Sequence, residues 1–314
     1  MRHRRVGASG LQVSRIGLGT MTWGDGVDTE AATEQLVAFV NGGGTFVETA
    51  DIYSDGHSQE ILGKIMASSV RREDLVIAGR GGLPAGVLGE GAARGTLLHA
   101  LDATLRRLGI DHLDLWQLPG WDVEVPLEEM LSAVQVAVLT GRVRYAGLVA
   151  PSGWQLATVA ERARVLSSVT VPISAQVEYS LLARSADAEL IPAARHHGVG
   201  LIAWAPLGRG VLTGKYVNGT PADSRGASPL LAPYVEARRN ERSARIVHAV
   251  LTAADGLGTS PLAVALAWVR DRPGIATAVV GARDAAQLSA SMATETIELP
   301  AEIRSALDDV SVPV

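Results

Sequence analysis

The chain has 314 residues and no cysteine, with 47% hydrophobic and 19% charged residues and a formal net charge of −5. That length suits one large or two ordinary domains, and the absence of cysteine excludes disulfides, thiolate metal sites and a cysteine nucleophile. No basic patch suited to nucleic acid stands out, no apolar run reaches the roughly 18 residues of a membrane span, and Met1-Arg-His-Arg-Arg5 lacks the apolar stretch of a signal peptide.

The chain is therefore expected to be a soluble, cytoplasmic protein that meets a small molecule, with neither nucleic acid nor membrane as partner. Nothing in the pattern sets an oligomeric state. Short apolar runs alternate with longer amphipathic ones. Arg4 to Gly7 and Leu11 to Val13 fit a hairpin across Ala8-Ser-Gly10, and Ser14-Arg-Ile-Gly-Leu-Gly-Thr20 reads as the first buried strand. Thr29 caps a helix to about Asn41, ended by Gly42-Gly-Gly44; Thr45 to Thr49 is the second strand, and Ser58 caps a helix with Ile61, Leu62 and Ile65 on one face. Leu75 to Gly79 is the third strand, followed by a glycine-rich loop from Gly79 to Gly86 and a helix over Ala92 to Leu108. Further strands are expected at Leu113 to Leu118, Val143 to Leu148, Ile173 to Val177, Gly200 to Ala205 and Thr277 to Gly281. Helices fall between them: Pro126 to Thr140, Ser152 to Leu166 and Ala186 to His197. Later ones run from Arg238 to Gly256, from Pro261 to before Pro273, from Asp284 onward, and over Ala301 to Asp309. The longest irregular stretch, Pro206 to Tyr234, has the length of a binding loop or lid.

Eight strand–helix units predict a single (β/α)8 TIM barrel over residues 1–314, with an N-terminal β-hairpin and extra C-terminal helices. A doubly wound sheet would need strand–GxGxxG–helix near the start, and Gly17-Leu-Gly19 runs instead into Thr20-Met-Thr22. Barrel chemistry sits at the C-terminal ends of strands, which draws attention to Phe46 to Gly63, where Glu48 ends a strand and Tyr53 follows five residues on.

With these residues in view, the chain resembles the aldo-keto reductase superfamily over nearly its whole length. The likeness rests on Ile16-Gly-Leu-Gly-Thr20, Thr49-Ala-Asp-Ile-Tyr53, Ser58-Gln-Glu-Ile-Leu-Gly63, Leu105-Arg-Arg-Leu-Gly109, Asp111-His-Leu-Asp-Leu115 and Gln176-Val-Glu-Tyr179. It continues through Trp204-Ala-Pro-Leu-Gly-Arg-Gly-Val-Leu-Thr-Gly-Lys-Tyr216, Gly281-Ala-Arg283 and Gln287-Leu288. The resemblance implies NADP(H) bound across the strand ends, and carbonyl reduction with a tyrosine as proton donor, a lysine held by an aspartate beside it, and a histidine on the carbonyl. No metal is implied, and no His/Asp/Glu cluster has metal spacing.

Tyr53 matches the proton donor, but Glu48 stands for the aspartate, Arg80 for the lysine and Pro119 for the histidine. Glu48 and Arg80 keep the charges, and a bidentate Arg–Glu pair is the expectation. Arg80 is expected to favour the phenolate without shuttling a proton; Pro119 has no side-chain donor. Two polar grips on the nicotinamide carboxamide become Val149 and Ala150, which weakens the case for NADP(H), and Ala205 replaces a serine. Gln176 remains for the carboxamide, Trp204 for stacking on the nicotinamide, Leu207 and Gly208 for the cofactor's path, and Arg283 and Gln287 for the adenosine phosphate; Ala290 and Ser291 replace an acid and an asparagine there. Trp23 and Trp121, with Pro119, are expected to wall the substrate pocket. The loops near Trp23, Leu83 to Gly91, Trp121 and Pro206 to Tyr234 would set substrate choice.

Three functions follow. One is an NADP(H)-dependent reductase of the family's lineage in which standard carbonyl reduction is weak or absent and Tyr53 remains an acid/base group. A second is a redox-neutral lyase, dehydratase, isomerase or cyclase using Tyr53 without hydride transfer. A third is a non-catalytic binding homologue, in which Tyr53 is a buried phenol and Glu48–Arg80 a structural pair, since buried charges need partners in any case. His57 is read as a solvated loop residue.

Overall fold

The computed structural model describes residues 1–81, 91–119, 121–166, 171–222, 224–229 and 231–313. The chain opens with an antiparallel hairpin of β1 (His3–Arg5) and β2 (Gln12–Ser14). Eight parallel strands then close a barrel: β3 (Ile16–Gly19), β4 (Phe46–Ala50), β5 (Val76–Arg80), β6 (Leu113–Leu118), β7 (Val143–Val149), β8 (Ser174–Glu178), β9 (Gly200–Trp204) and β10 (Ile275–Val280), with β10 pairing back onto β3. This is the expected (β/α)8 barrel with its N-terminal hairpin.

The strands are buried on both faces, so they read as apolar runs rather than alternating ones. Alternation still sorts them. Phe46, Ala78, Leu115, Ile202, Ala276 and Val279 pack together with Val6 and Val13 of the hairpin, forming the lower plug of the barrel. Their neighbours Val47, Ile77, Leu113, Trp116 and Ala278 join the outer core under the helices. Towards the strand C-termini the inward series becomes polar: Glu48, Arg80, Gln117, Gln176 and Glu178 carry on the same two-residue spacing.

The outer helices are α1 (Thr29–Asn41), α2 (His57–Ser68), α3 (Arg94–Leu108), α4 (Leu127–Leu139), α5 (Gly153–Leu166), α6 (Leu190–His197), a short α7 (Ala232–Glu236), α8 (Glu241–Gly256), α9 (Pro261–Arg270), α10 (Ala285–Ala293) and α11 (Ala301–Val310). Caps differ from expectation at two places. Asp28 caps α1, its carboxylate accepting from Ala31 N at 2.9 Å, because the acid lies one residue before Thr29. Ser58 lies inside α2, where its buried hydroxyl donates to Thr20 O at 2.8 Å and pins the helix to the end of β3. The helix expected from Arg238 to Gly256 begins at Glu241, because Asn240 caps it on Ser243 N, and the short α7 overlaps the end of the stretch expected to be irregular. Most of the glycine-rich loop between Gly79 and Gly86, and of the Leu83 to Gly91 loop, lies outside the described residues. No single helix among the described residues is long and apolar enough to cross a membrane.

Ionic clusters tie the non-repeating elements to the barrel. At its base Arg15 donates to Glu295 at 2.6 Å and to Asp271 at 3.3 Å, while wholly buried Arg270 bonds Ile297 O at 2.6 Å. Elsewhere Arg272 and Arg184 face the Trp268 indole from 4.6 and 5.4 Å, and Asp308 of α11 accepts from Trp268 Nε1 at 2.9 Å. Removing one partner from a buried pair strands the other charge. Arg15→Met should therefore lower unfolding stability by about 3 kcal/mol, read from urea denaturation.

Candidate active site

The polar end of the barrel interior is centred on Glu48, which is 3% exposed. Tyr53, 8% exposed, donates its phenolic hydrogen to that carboxylate, with Oη 2.9 Å from Oε1 and 3.2 Å from Oε2. Gln176 Nε2 donates to Oε1 at 3.2 Å. Arg80 Nη1 donates to Tyr53 Oη at 3.3 Å and lies 3.7 Å from Glu48 Oε1. The bidentate pair expected of Glu48 and Arg80 is not formed; the extra methylene of glutamate brings the carboxylate to the phenol, and the phenol lies between the two charges.

Local sequence explains the placement. Gly19 of β3 faces Glu48: a Cβ there would meet Glu48 Oε2 at an ordinary 3.5 Å but would lie 2.9 Å from Val279 Cγ1, so it is the packing of Val279 that favours glycine. Tyr53 opens a tight turn in which Ser54 (φ 49), Asp55 (φ 57) and Gly56 (φ 86) are successively left-handed, with Ser54 Oγ bonded to Trp23 O at 3.0 Å. Non-glycine residues in this region cost energy, and the surrounding contacts hold them there.

Burial, then the Glu48 charge, push the Tyr53 phenol above its ordinary range, and Arg80 opposes this without prevailing. The expected easing towards phenolate is thus reversed. For Arg80, burial pulls downward, yet Glu48 and Tyr53 outweigh it and hold the guanidinium more firmly charged.

Trp23, expected on a pocket wall, is instead wholly buried, its Nε1 donating to Gln35 Oε1 at 3.1 Å beneath α1. Trp121 and Pro119 line an apolar crevice with Met130, Leu148, Pro151 and Val159, and Trp121 meets Trp154 at 4.9 Å between ring centroids. Pro119 also lines a second cavity with Arg80, Gln117 and Val149, beside the Glu48–Tyr53 pair. Val149 ends β7, and Ala150 follows at φ 48, its N–H donating to Gln176 O at 2.7 Å. Ala205 is likewise left-handed at φ 51.

Trp204 is partly buried at the end of β9. The Arg209 guanidinium lies 5.3 Å from the Trp204 ring and 4.7 Å from that of Tyr234, and Glu178 pairs with Arg209 at 3.7 Å and Arg238 at 2.9 Å. Leu207 and Gly208 lead a turn in which Gly208, Arg209 and Gly210 have φ of 55, 60 and 90. At the last strand–helix junction Arg283 is exposed and its N–H donates to Gln287 Oε1 at 3.3 Å; Asp284 caps α10. The structure therefore gathers Glu48, Tyr53, Arg80 and Gln176 directly, sets Pro119 and Val149 around the adjoining cavity, and leaves Arg283 and Gln287 at a separate edge.

Two features escaped the sequence reading. Arg225 is depressed by burial and by the nearby charges of Arg209 and Arg283, with Tyr216 opposing, so three cations face one region. Gln117 is wholly buried, accepts from Ser174 Oγ at 3.2 Å and leaves its Nε2 without a partner among the described residues. The signal for Gln117 was present: a single inward amide in the apolar strand Leu113-Asp-Leu-Trp-Gln-Leu118.

Eight parallel strands with their helices define a (β/α)8 barrel, and Glu48, Tyr53 and Arg80 lie at the C-terminal ends of its strands, the face where such barrels place their sites. The sequence model of the aldo/keto reductase family matches residues 15–312, and the chain belongs to that family. It is 33% identical to an uncharacterized oxidoreductase of Bacillus subtilis (strain 168), YrpG, over 99% of this chain and 96% of the relative. It is 32% identical to a probable voltage-gated potassium channel subunit beta of Arabidopsis thaliana, over 93% and 90%. It is 30% identical to versiconal hemiacetal acetate reductase of Aspergillus parasiticus, over 100% and 98%.

A phenol held by a carboxylate and pushed upward has a direct signature. A tyrosine whose folded pKa exceeds its unfolded value of about 10 keeps its proton in the fold and loses it in the unfolded chain, so its contribution is full below that value and is lost as pH rises. Alkaline absorbance titration should show that Tyr53→Phe removes no phenol ionising below about pH 11, and stability above about pH 10 should fall less steeply in the variant.

Proposed function

We propose that the chain is an NADP(H)-binding reductase of small carbonyl compounds, slowed by its own carboxylate. The observation that carries this reading is the 2.9 Å bond from Tyr53 Oη to Glu48. To protonate a substrate oxygen, the phenol must leave that bond and become a phenolate beside a buried negative charge. Arg80 at 3.3 Å supports the phenolate, Glu48 opposes it, and burial favours the neutral phenol.

The cofactor's fit is uneven along its length. Arg225, Arg209 and Arg283 suit phosphate groups, the left-handed turn from Gly208 to Gly210 suits close backbone approach, and Trp204 offers an aromatic face. Gln176 Oε1 is a buried acceptor with no partner among the described residues, which suits a carboxamide N–H. Val149 and Ala150 offer no polar side chain. The cofactor would supply hydride; Tyr53 holds the proton for the substrate oxygen, and Arg80 holds the charge left behind.

Val149 and Ala150 also favour a second reading, a redox-neutral proton transfer with Glu48 as base through Tyr53. The two separate by rate. Under the first, oxidation of NADPH with 4-nitrobenzaldehyde is slow, is lost in Tyr53→Phe, and rises about tenfold in Glu48→Asp, where the shorter carboxylate withdraws from the phenol. A rate that Tyr53→Phe leaves unchanged would remove the phenol from the reaction.

The left-handed backbone at Ala150 is one that asparagine tolerates better than alanine. Val149→Ser combined with Ala150→Asn should tighten NADPH binding about tenfold, followed by cofactor fluorescence, since each regained hydrogen bond contributes about 0.5–1.5 kcal/mol. Unchanged affinity would place the nicotinamide away from β7.

A further inference from the structure

We infer that Gln117 is the carbonyl-binding residue of this site, taking the part that Pro119 has no donor to fill. This deepens the reading of a carbonyl-handling site and rests on it. Gln117 and Arg80 are direct cross-strand partners between β6 and β5, so their side chains point inward side by side at the same level. Both line one cavity of about 40 Å³ with Pro119, Val149, Asp51 and Ala50. That space holds a small group and not a whole substrate.

The side chain is held in place for the task. Ser174 Oγ donates to Gln117 Oε1 at 3.2 Å, fixing one end of the amide. Gly147, its partner on β7, keeps the position clear: a Cβ there would lie 2.3 Å from Gln117 Oε1 and 2.0 Å from Ser174 Oγ. The other end, Nε2, is buried with no acceptor among the described residues. A buried amide N–H left unmet costs free energy, which a ligand oxygen returns on binding.

The charges beside the cavity select the ligand. Arg80 is already faced by Glu48, and Asp51 adds to that balance. A neutral carbonyl or hydroxyl oxygen therefore suits the space better than a carboxylate, whose charge would meet two others. The oxygen would accept from Gln117 Nε2 at the barrel wall, within the cavity that Arg80 carries towards Tyr53.

The test uses the full chain and 4-fluoroacetophenone, followed by 19F NMR titration, with 4-fluoro-α-methylstyrene as the analogue lacking the oxygen. The ketone should bind at least tenfold more weakly to Gln117→Leu than to the parent chain, and the styrene should not discriminate between them. Gln117→Glu keeps the shape and replaces the amide donor with an acceptor; it too should lose the ketone, and thermal unfolding of both variants shows that the fold is intact. Equal ketone affinity in all three chains, or no ketone binding to the parent, overturns the assignment. The outcomes also separate the two claims. If ketone binding depends on Gln117 but NADPH is never oxidised, the reductase reading fails and this one stands. If NADPH is oxidised and Gln117→Leu leaves both KM and ketone affinity unchanged, this one fails alone.

Discussion

An ionised carboxylate inside a barrel is tolerable only where other groups replace the water it has lost, and Glu48 imposes that condition on the whole mouth of this barrel. Tyr53 and Gln176 donate to the carboxylate, and Arg80 balances its charge. On the proposed function Tyr53 is both a proton source and a structural donor, and the second use opposes the first. Gln176 Nε2 is directed to the carboxylate, leaving its Oε1 without a partner among the described residues.

Ala150 and Ala205, at the barrel mouth, are both left-handed, although neither residue benefits from that conformation. The strain at both positions follows from the way each loop leaves its strand, as with Ala150 N–H bonding to Gln176 O. Arg209, Arg225 and Arg283 and the Gly208 turn lie on one side of the mouth, while Val149 and Ala150 on the other offer no polar side chain to a cofactor bound as proposed. Cofactor affinity and cofactor orientation draw on different ends of the same molecule, so a chain can retain the first while weakening the second.

The fold was legible because it depends on local signals repeated eight times: apolar strands, capped helices and glycine stops. Where the reading slipped, as at Asp28 and Asn240, a better cap stood within two residues of the chosen start. The site was legible as a set of residues but not as a geometry. Glu48, Tyr53 and Arg80 could be named from the motif, yet their order in space depends on side-chain length inside a closed barrel, which no spacing rule contains. Trp23 was assigned to a wall because it lies in a loop at the open edge; its bond to Gln35 turns it beneath α1 instead. Gln117 was passed over because strand β6 reads as core, and in a barrel filled by its own side chains the inward face of a strand changes from plug to site within two residues.

That change of character along each strand also gives meaning to the loss at position 119. A donor at the strand end would reach a substrate from the rim, whereas Gln117 reaches from the wall one inward position deeper. The displacement is matched by Gly147 and Ser174, which give the amide space and fix one end of it, and by Arg80 at the same level on the neighbouring strand. An apolar residue at position 117 would relieve the cost of the unmet N–H; on the inference drawn above, a ligand oxygen relieves it instead.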